Sequence, residues 1–171
     1  MRIPFATVFF PTLALAVVAA THALSSVDVR FIEGAPKDRF EIRNSGACPI
    51  SSATLTLDLS TSAAGLIFDV TGAGAGVEVY QPFAVTSGKA SLRSLPDVRD
   101  GQNKLLLDID TLSPGNSISF TIDVDDTTGG REITVNGSEI SGATVRLATP
   151  TATNSATFNT AAGASLPHSN C

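Results

Sequence analysis

Leu105-Leu106-Leu107-Asp108-Ile109-Asp110 and Ser117-Ile118-Ser119-Phe120-Thr121-Ile122-Asp123-Val124-Asp125 decide the fold of this chain. Apolar side chains recur at every second position in both runs. That period puts one face of a strand on a core and the other in water. Between the runs, Ser113-Pro114-Gly115-Asn116 carries strong turn chemistry. A hairpin centred between Pro114 and Gly115 would pair Ile109 with Phe120, Leu107 with Ile122 and Leu105 with Val124. All six apolar side chains then share one face. The opposite face would hold Asp108, Asp110 and Asp123, with Lys104 facing Asp125.

The same alternation continues outward. Val27–Phe31, Phe40–Arg43 and Leu55–Leu59 show it clearly. Further strand-like runs are Leu66–Val70, Val77–Val85, Ile133–Asn136 and Ala143–Leu147, separated by Gly, Pro, Asn and Asp. Short, regularly spaced strands without a convincing helical segment predict an all-β fold, an antiparallel β-sandwich of Ig-like or jelly-roll-like type. The expected organisation is a signal peptide over 1–23, a sandwich domain over 24–148, and an Ala/Thr/Ser-rich tail over 149–171. The tail lacks Asp, Glu, Lys and Arg. It is expected to be surface chain contributing at most one strand around Ala156-Thr157-Phe158.

The signal peptide is read from Arg2, the apolar run Ile3–Ala20 and the small residues Ala19, Ala20 and Ala23. Pro4 and Pro11 weaken the competing reading of a retained membrane helix. Cleavage is expected after Ala23, with Ala20 as the second choice, and the chain is then secreted, extracellular or periplasmic. The remaining 148 residues can build one domain with a substantial core. They carry 10 basic and 16 acidic residues, a net charge of −6. Such a surface repels phosphate backbones, so nucleic acid is not an expected partner. No second apolar stretch is long enough to span a bilayer. Cys48 and Cys171 are expected to form a disulfide in an oxidising compartment.

Catalytic motifs are sparse. His168 lies in the polar tail and is expected to be solvated. No Gly-x-Ser-x-Gly elbow occurs. Gly72-Ala73-Gly74-Ala75-Gly76 is followed by strand-like residues rather than a helix, so it reads as a loop and not a phosphate cradle. Asn136-Gly137-Ser138 reads as a turn before it reads as a glycosylation acceptor. Seven of the 16 acidic residues crowd between Asp97 and Asp126. Paired carboxylates can serve a glycosidase. However, the mature chain has no Trp and only Tyr80 to hold a sugar. Calcium suits the cluster better, with Asp108, Asp123, Asp125 and Asp126 as candidate ligands and Asp97 or Asp100 as further donors. The competing reading is a solvated acidic face.

Phe40–Cys48, Leu57–Ser60, Ala63–Asp69, Gly74–Val79, Phe120–Asp126 and Ser138–Val145 together resemble a group of small secreted bacterial proteins labelled aggregation factor core. The resemblance implies an extracellular role in adhesion or aggregation and supplies no catalytic residues. The expected function is therefore a secreted, non-catalytic adhesion or binding module, calcium-assisted, that meets a protein or cell-surface component. The alternative is a structural subunit that self-associates by strand edges. A secreted hydrolase is the remote third reading.

Overall fold

A computed structural model describes residues 26–74, 76, 79–128 and 134–168. The expected signal peptide, Cys171 and Ile133 lie outside these residues. The chain forms β1 (Ser26–Ile32), β2 (Asp38–Asn44), β3 (Ile50–Asp58), β4 (Ile67–Asp69), β5 (Ala84–Ser87) and β6 (Leu92–Ser94). It continues through β7 (Lys104–Leu112), β8 (Ser117–Asp125), β9 (Thr144–Ala148), β10 (Thr153–Thr157) and β11 (Gly163–Pro167). The one helical element among the described residues is a single 3₁₀ turn at Lys89–Ser91.

Two antiparallel sheets face each other. One runs β11-β1-β2-β8-β4, with β5 also paired to β8; the other runs β10-β9-β3-β7-β6. The all-β sandwich is thus present. Cross-strand rows build its core. In the first sheet Phe31 lies opposite Phe40, and Phe40 opposite Phe120. Their ring centroids are 5.2 and 5.3 Å apart, and Phe83 joins Phe120 at 4.8 Å. In the second sheet Leu55 sits between Leu107 and Leu147, and Leu57 between Leu105 and Val145. Alternate side chains interlock across the sheets at native spacing, the ordinary route to a dry sandwich core.

The turn at Ser113–Asn116 forms, but the hairpin does not. The Asn116 amide donates to the Ser113 carbonyl at 3.1 Å, and Gly115 has φ 78°, with Pro114 before it. This is type II turn chemistry. The strands on either side then enter different sheets, β7 pairing with β3 and β8 with β2. The link is a corner between layers. Ile109 and Phe120 do share the core, but from opposite walls. Lys104 accordingly faces Asp58, not Asp125, with Nζ 3.0 Å from Oδ2.

Asn44 secures that corner. Its backbone carbonyl accepts from the Gly115 amide at 2.7 Å, and its amide donates to the Asn116 carbonyl at 3.0 Å. Its fully buried side chain donates to the Cys48 and Leu112 carbonyls at 2.8 and 2.9 Å, and accepts from the Gly46 amide at 3.0 Å. One amide group therefore ties β2 in the first sheet to β7 in the second. Cys48 beside it is buried and is not a free thiol.

The segment expected to be a surface tail supplies β10 and β11, one end strand for each sheet. Phe158, Ala162, Ala164 and Leu166 are buried, and so is His168, which was expected to be solvated. An end strand needs only one apolar face, so two or three apolar side chains suffice to seat it. Val77–Val85 also departs from expectation: of its described residues, 79–85, only the last two belong to a strand, β5. Thr134–Asn136 forms no strand, whereas Asn136 Oδ1 accepts from the Ser138 amide at 2.9 Å in the expected turn.

Candidate functional site

The acidic residues divide between two regions. Asp108 and Asp110 lie on the outer face of the second sheet, within 3.6 Å of Arg93, and both are well exposed. Asp97 is an exposed partner of Arg99. These groups are solvated ion pairs of small energetic weight. Asp108 therefore does not join Asp123, Asp125 and Asp126, contrary to expectation, because the corner sends β7 and β8 into different sheets.

Asp123 and Asp125 come from the second half of β8, where β4 takes over from β5 as its neighbour. Residues i and i+2 on a strand share a face, and here that face points away from Ile122, Val124 and the core. Asp69 on β4 lies directly opposite Asp123. An outward face normally meets water, yet Asp69 is 1 % exposed, Asp123 4 % and Asp125 3 %. Asp126 is buried as well.

The cover is the glycine-rich loop. A Cβ added at Gly76 would overlap Oδ2 of both Asp69 and Asp125, and one at Gly74 would overlap Oδ2 of Asp100. The Gly-x-Gly-x-Gly spacing lets bare backbone lie on carboxylates that any side chain would displace. Gln81 continues the cover: its amide donates to the Asp69 carbonyl at 3.3 Å, and its carbonyl accepts from the Asp123 amide at 3.2 Å. Asp100 holds the loop's start, accepting from the Val70 and Thr71 amides at 2.9 and 3.1 Å.

Asp69 is the centre of this arrangement. No donor stands in good bonding geometry to either of its buried carboxylate oxygens; the nearby Thr71 amide, which acts to lower its pKa, directs its hydrogen bond to Asp100 Oδ1 at 3.1 Å. The side chain it faces is the carboxyl of Asp100, itself an acceptor unless it carries a proton. Burial pushes the Asp69 pKa up to about 7, with Asp100 and Asp125 adding to the rise. Burial does the same for Asp123, also to about 7, reinforced by Asp125 and Asp69. Desolvation disfavours a charge, and a neighbouring like charge disfavours it further. Asp38, opposite Ile122 on β2, is driven up to about 8, by burial first and then by Asp123 and Asp125. Its Oδ1 accepts from the Gly34 amide at 3.0 Å, which works in the other direction. Thr121, two residues before Asp123 on the same face of β8, also buries a hydroxyl oxygen that has no hydrogen-bond partner.

Chemically, this is a buried, oxygen-rich cluster of carboxyl groups that disfavour one another's ionisation. Sequence reasoning reached Asp123, Asp125 and Asp100 but missed Asp69 and Asp38. The available signal for Asp69 was a carboxylate ending an apolar strand immediately before the glycine repeat. No group of three carboxylates among the described residues already surrounds a single point as a metal shell does.

No protein-family model matches the chain, and no curated protein matches it either.

Proposed function

We propose that this chain is exported and works outside the cytoplasm as a non-catalytic adhesion or binding module that meets a protein or cell-surface component. The observation that carries this reading is where the reactive groups lie. The carboxylates with the most perturbed ionisation, Asp38, Asp69 and Asp123, are buried, whereas a catalytic acid or base must reach the proton it transfers. What faces solvent is a shallow groove on the outer face of the second sheet, lined by Thr54, Leu95, Pro96, Lys104 and Leu106 among others. Leu95 and Leu106 are 52 % and 55 % exposed there. Apolar anchors ringed by polar groups are the usual make-up of a protein contact.

Fluorescently labelled mature protein should bind cells of its host, or a partner from their surface. Leu95→Asp with Leu106→Asp should cut that binding at least about tenfold without changing the fold, the scale expected of an anchor residue. Undiminished binding by the double variant would refute the groove as the contact. Concentration-dependent self-assembly of the purified protein, insensitive to the double variant, would favour the strand-edge subunit instead.

Export and a Cys48–Cys171 bond belong to the same proposal. Intact mass of the host protein should correspond to a chain starting at Leu24 or Thr21. Non-reducing peptide mapping should recover the two cysteine peptides linked. A full-length chain in the cytosol would overturn the first expectation, and two freely alkylated thiols the second.

A further inference from the structure

We propose that Asp69, Asp123 and Asp125, with Asp100 from the adjoining loop, bind one hard divalent cation, calcium in an exported chain, beneath the glycine-rich loop. The choice of calcium rests on the export proposed above; the site itself does not depend on the adhesion reading. Acidic residues in a group are commonplace, and two further observations distinguish these. Both carboxylate oxygens of Asp69 are buried without a donor in bonding geometry, on a residue 1 % exposed. The hydroxyl oxygen of Thr121, on the same face of β8, is likewise buried and unpartnered. A polar atom taken from water without a partner is costly, so such atoms are rare in native proteins. The two unpartnered oxygens of Asp69 lie beside the carboxyl groups of Asp100 and Asp125.

The chemistry of the donors selects the ion. Carboxylate and hydroxyl oxygens without sulfur or imidazole suit calcium or magnesium, and calcium tolerates irregular shells of six to eight oxygens. The charges that Asp69 and Asp123 feel most strongly are other carboxylates. A divalent ion would reverse that repulsion. The oxygens do not yet converge on one point, so binding must reorient the carboxylate side chains of these paired strands toward one another. Gly74 and Gly76 present no side chain to obstruct this.

Isothermal titration of the mature protein with calcium chloride tests this directly, with magnesium chloride and ionic-strength-matched sodium chloride as parallel arms. The expected result is one calcium per chain, with a melting temperature several degrees higher at roughly a hundredfold excess over Kd. Matched sodium chloride should not reproduce that rise, and chelator should reverse it. Tyr80 is the only tyrosine, in a chain without tryptophan, and its ring lies against Gly72. Its emission should therefore change with calcium, and terbium in the site should be sensitised by it. Asp69→Asn and Asp123→Asn should each weaken binding at least about tenfold. Asp108→Asn, on the other sheet, should match the wild type. Absence of binding heat together with equal stabilisation by sodium and calcium would overturn the proposal. So would an Asp108→Asn loss as large as that of Asp69→Asn. Cell binding is measured separately, so either proposal can fail alone.

Discussion

Replacing Asn44 by alanine tests how the two sheets are joined at the Ser113–Asn116 corner. The substitution removes two donated bonds, to the Cys48 and Leu112 carbonyls, and one accepted from Gly46. A buried hydrogen bond is worth about 0.5–1.5 kcal/mol net, and a stranded buried acceptor costs about 1–3 kcal/mol. Since water can reach the Gly46 side of the group, which is only part-buried, the two carbonyls dominate. The expected loss is about 2–4 kcal/mol, equivalent to a fall in Tm of roughly 4–16 °C for a domain of this size. Urea unfolding at fixed calcium should show a lower midpoint at unchanged slope, as when only stability changes. Asn44→Asp sharpens the argument. It keeps the acceptor for Gly46 but sets a carboxylate against two carbonyl oxygens. At pH 7 it should therefore be at least as damaging as alanine. Burial and those carbonyls would raise its pKa in the folded state, so stability should recover as pH falls through that raised value, and the recovery should be complete near the unfolded value of about 4, where a hydroxyl donor has returned. A loss below about 0.5 kcal/mol for Asn44→Ala, or an Asn44→Asp variant as stable as wild type at pH 7, would refute the reasoning.

Two further outcomes follow from the packing and the charge. Phe120→Ala removes a fully buried ring stacked on Phe40 and tilted against Phe83; urea unfolding should record a loss of about 3–5 kcal/mol, and a loss under about 1 kcal/mol would contradict the described core. Asp38 has a folded pKa of about 8 against 3.8 unfolded, so its protonated form stabilises the fold at low pH, and that contribution is lost as pH rises through about 4 to 8. In chelator, Asp38→Asn should match wild type near pH 4 and exceed it by about 1–3 kcal/mol at pH 8.5, since a buried unpaired charge is removed and the Gly34 contact is kept; a gain equal at both pH values would refute this.

Alternation in the sequence told which side chains face the core, and nearly all of them do. It did not tell which strand pairs with which. A period of two defines a face and leaves the partner open, so Leu105, Leu107 and Ile109 could look inward from the sheet opposite Phe120. The Pro114-Gly115 turn was legible, but a type II turn can close a hairpin or round a corner between layers. What decides between them is Asn44, seventy residues upstream and unremarkable in sequence. The C-terminal strands were obscured by composition, because end strands of Thr, Asn, Ser and Ala carry little hydrophobic signal. The acidic site was half legible. Asp123 and Asp125 stood out by spacing, but Asp108 belonged to the wrong sheet. Asp69 was hidden in an apolar run whose outer face is covered by a loop that looked merely flexible.

The pairing of β1 with β11, in which Val29 meets Ala164, has a consequence for the order of events if the chain is exported as proposed. A chain crossing a membrane amino end first delivers Ser26–Ile32 early, yet one side of that strand has no neighbour until Gly163–Pro167 arrives. Through that interval Val27, Val29 and Phe31 sit on an open border, and pairings so distant along the chain are intrinsically slow to close. Unfinished borders of this kind recruit other chains. A molecule stalled with its last twenty residues still inside the cell would be the species most prone to clump, and the one most in need of a holding chaperone on the far side.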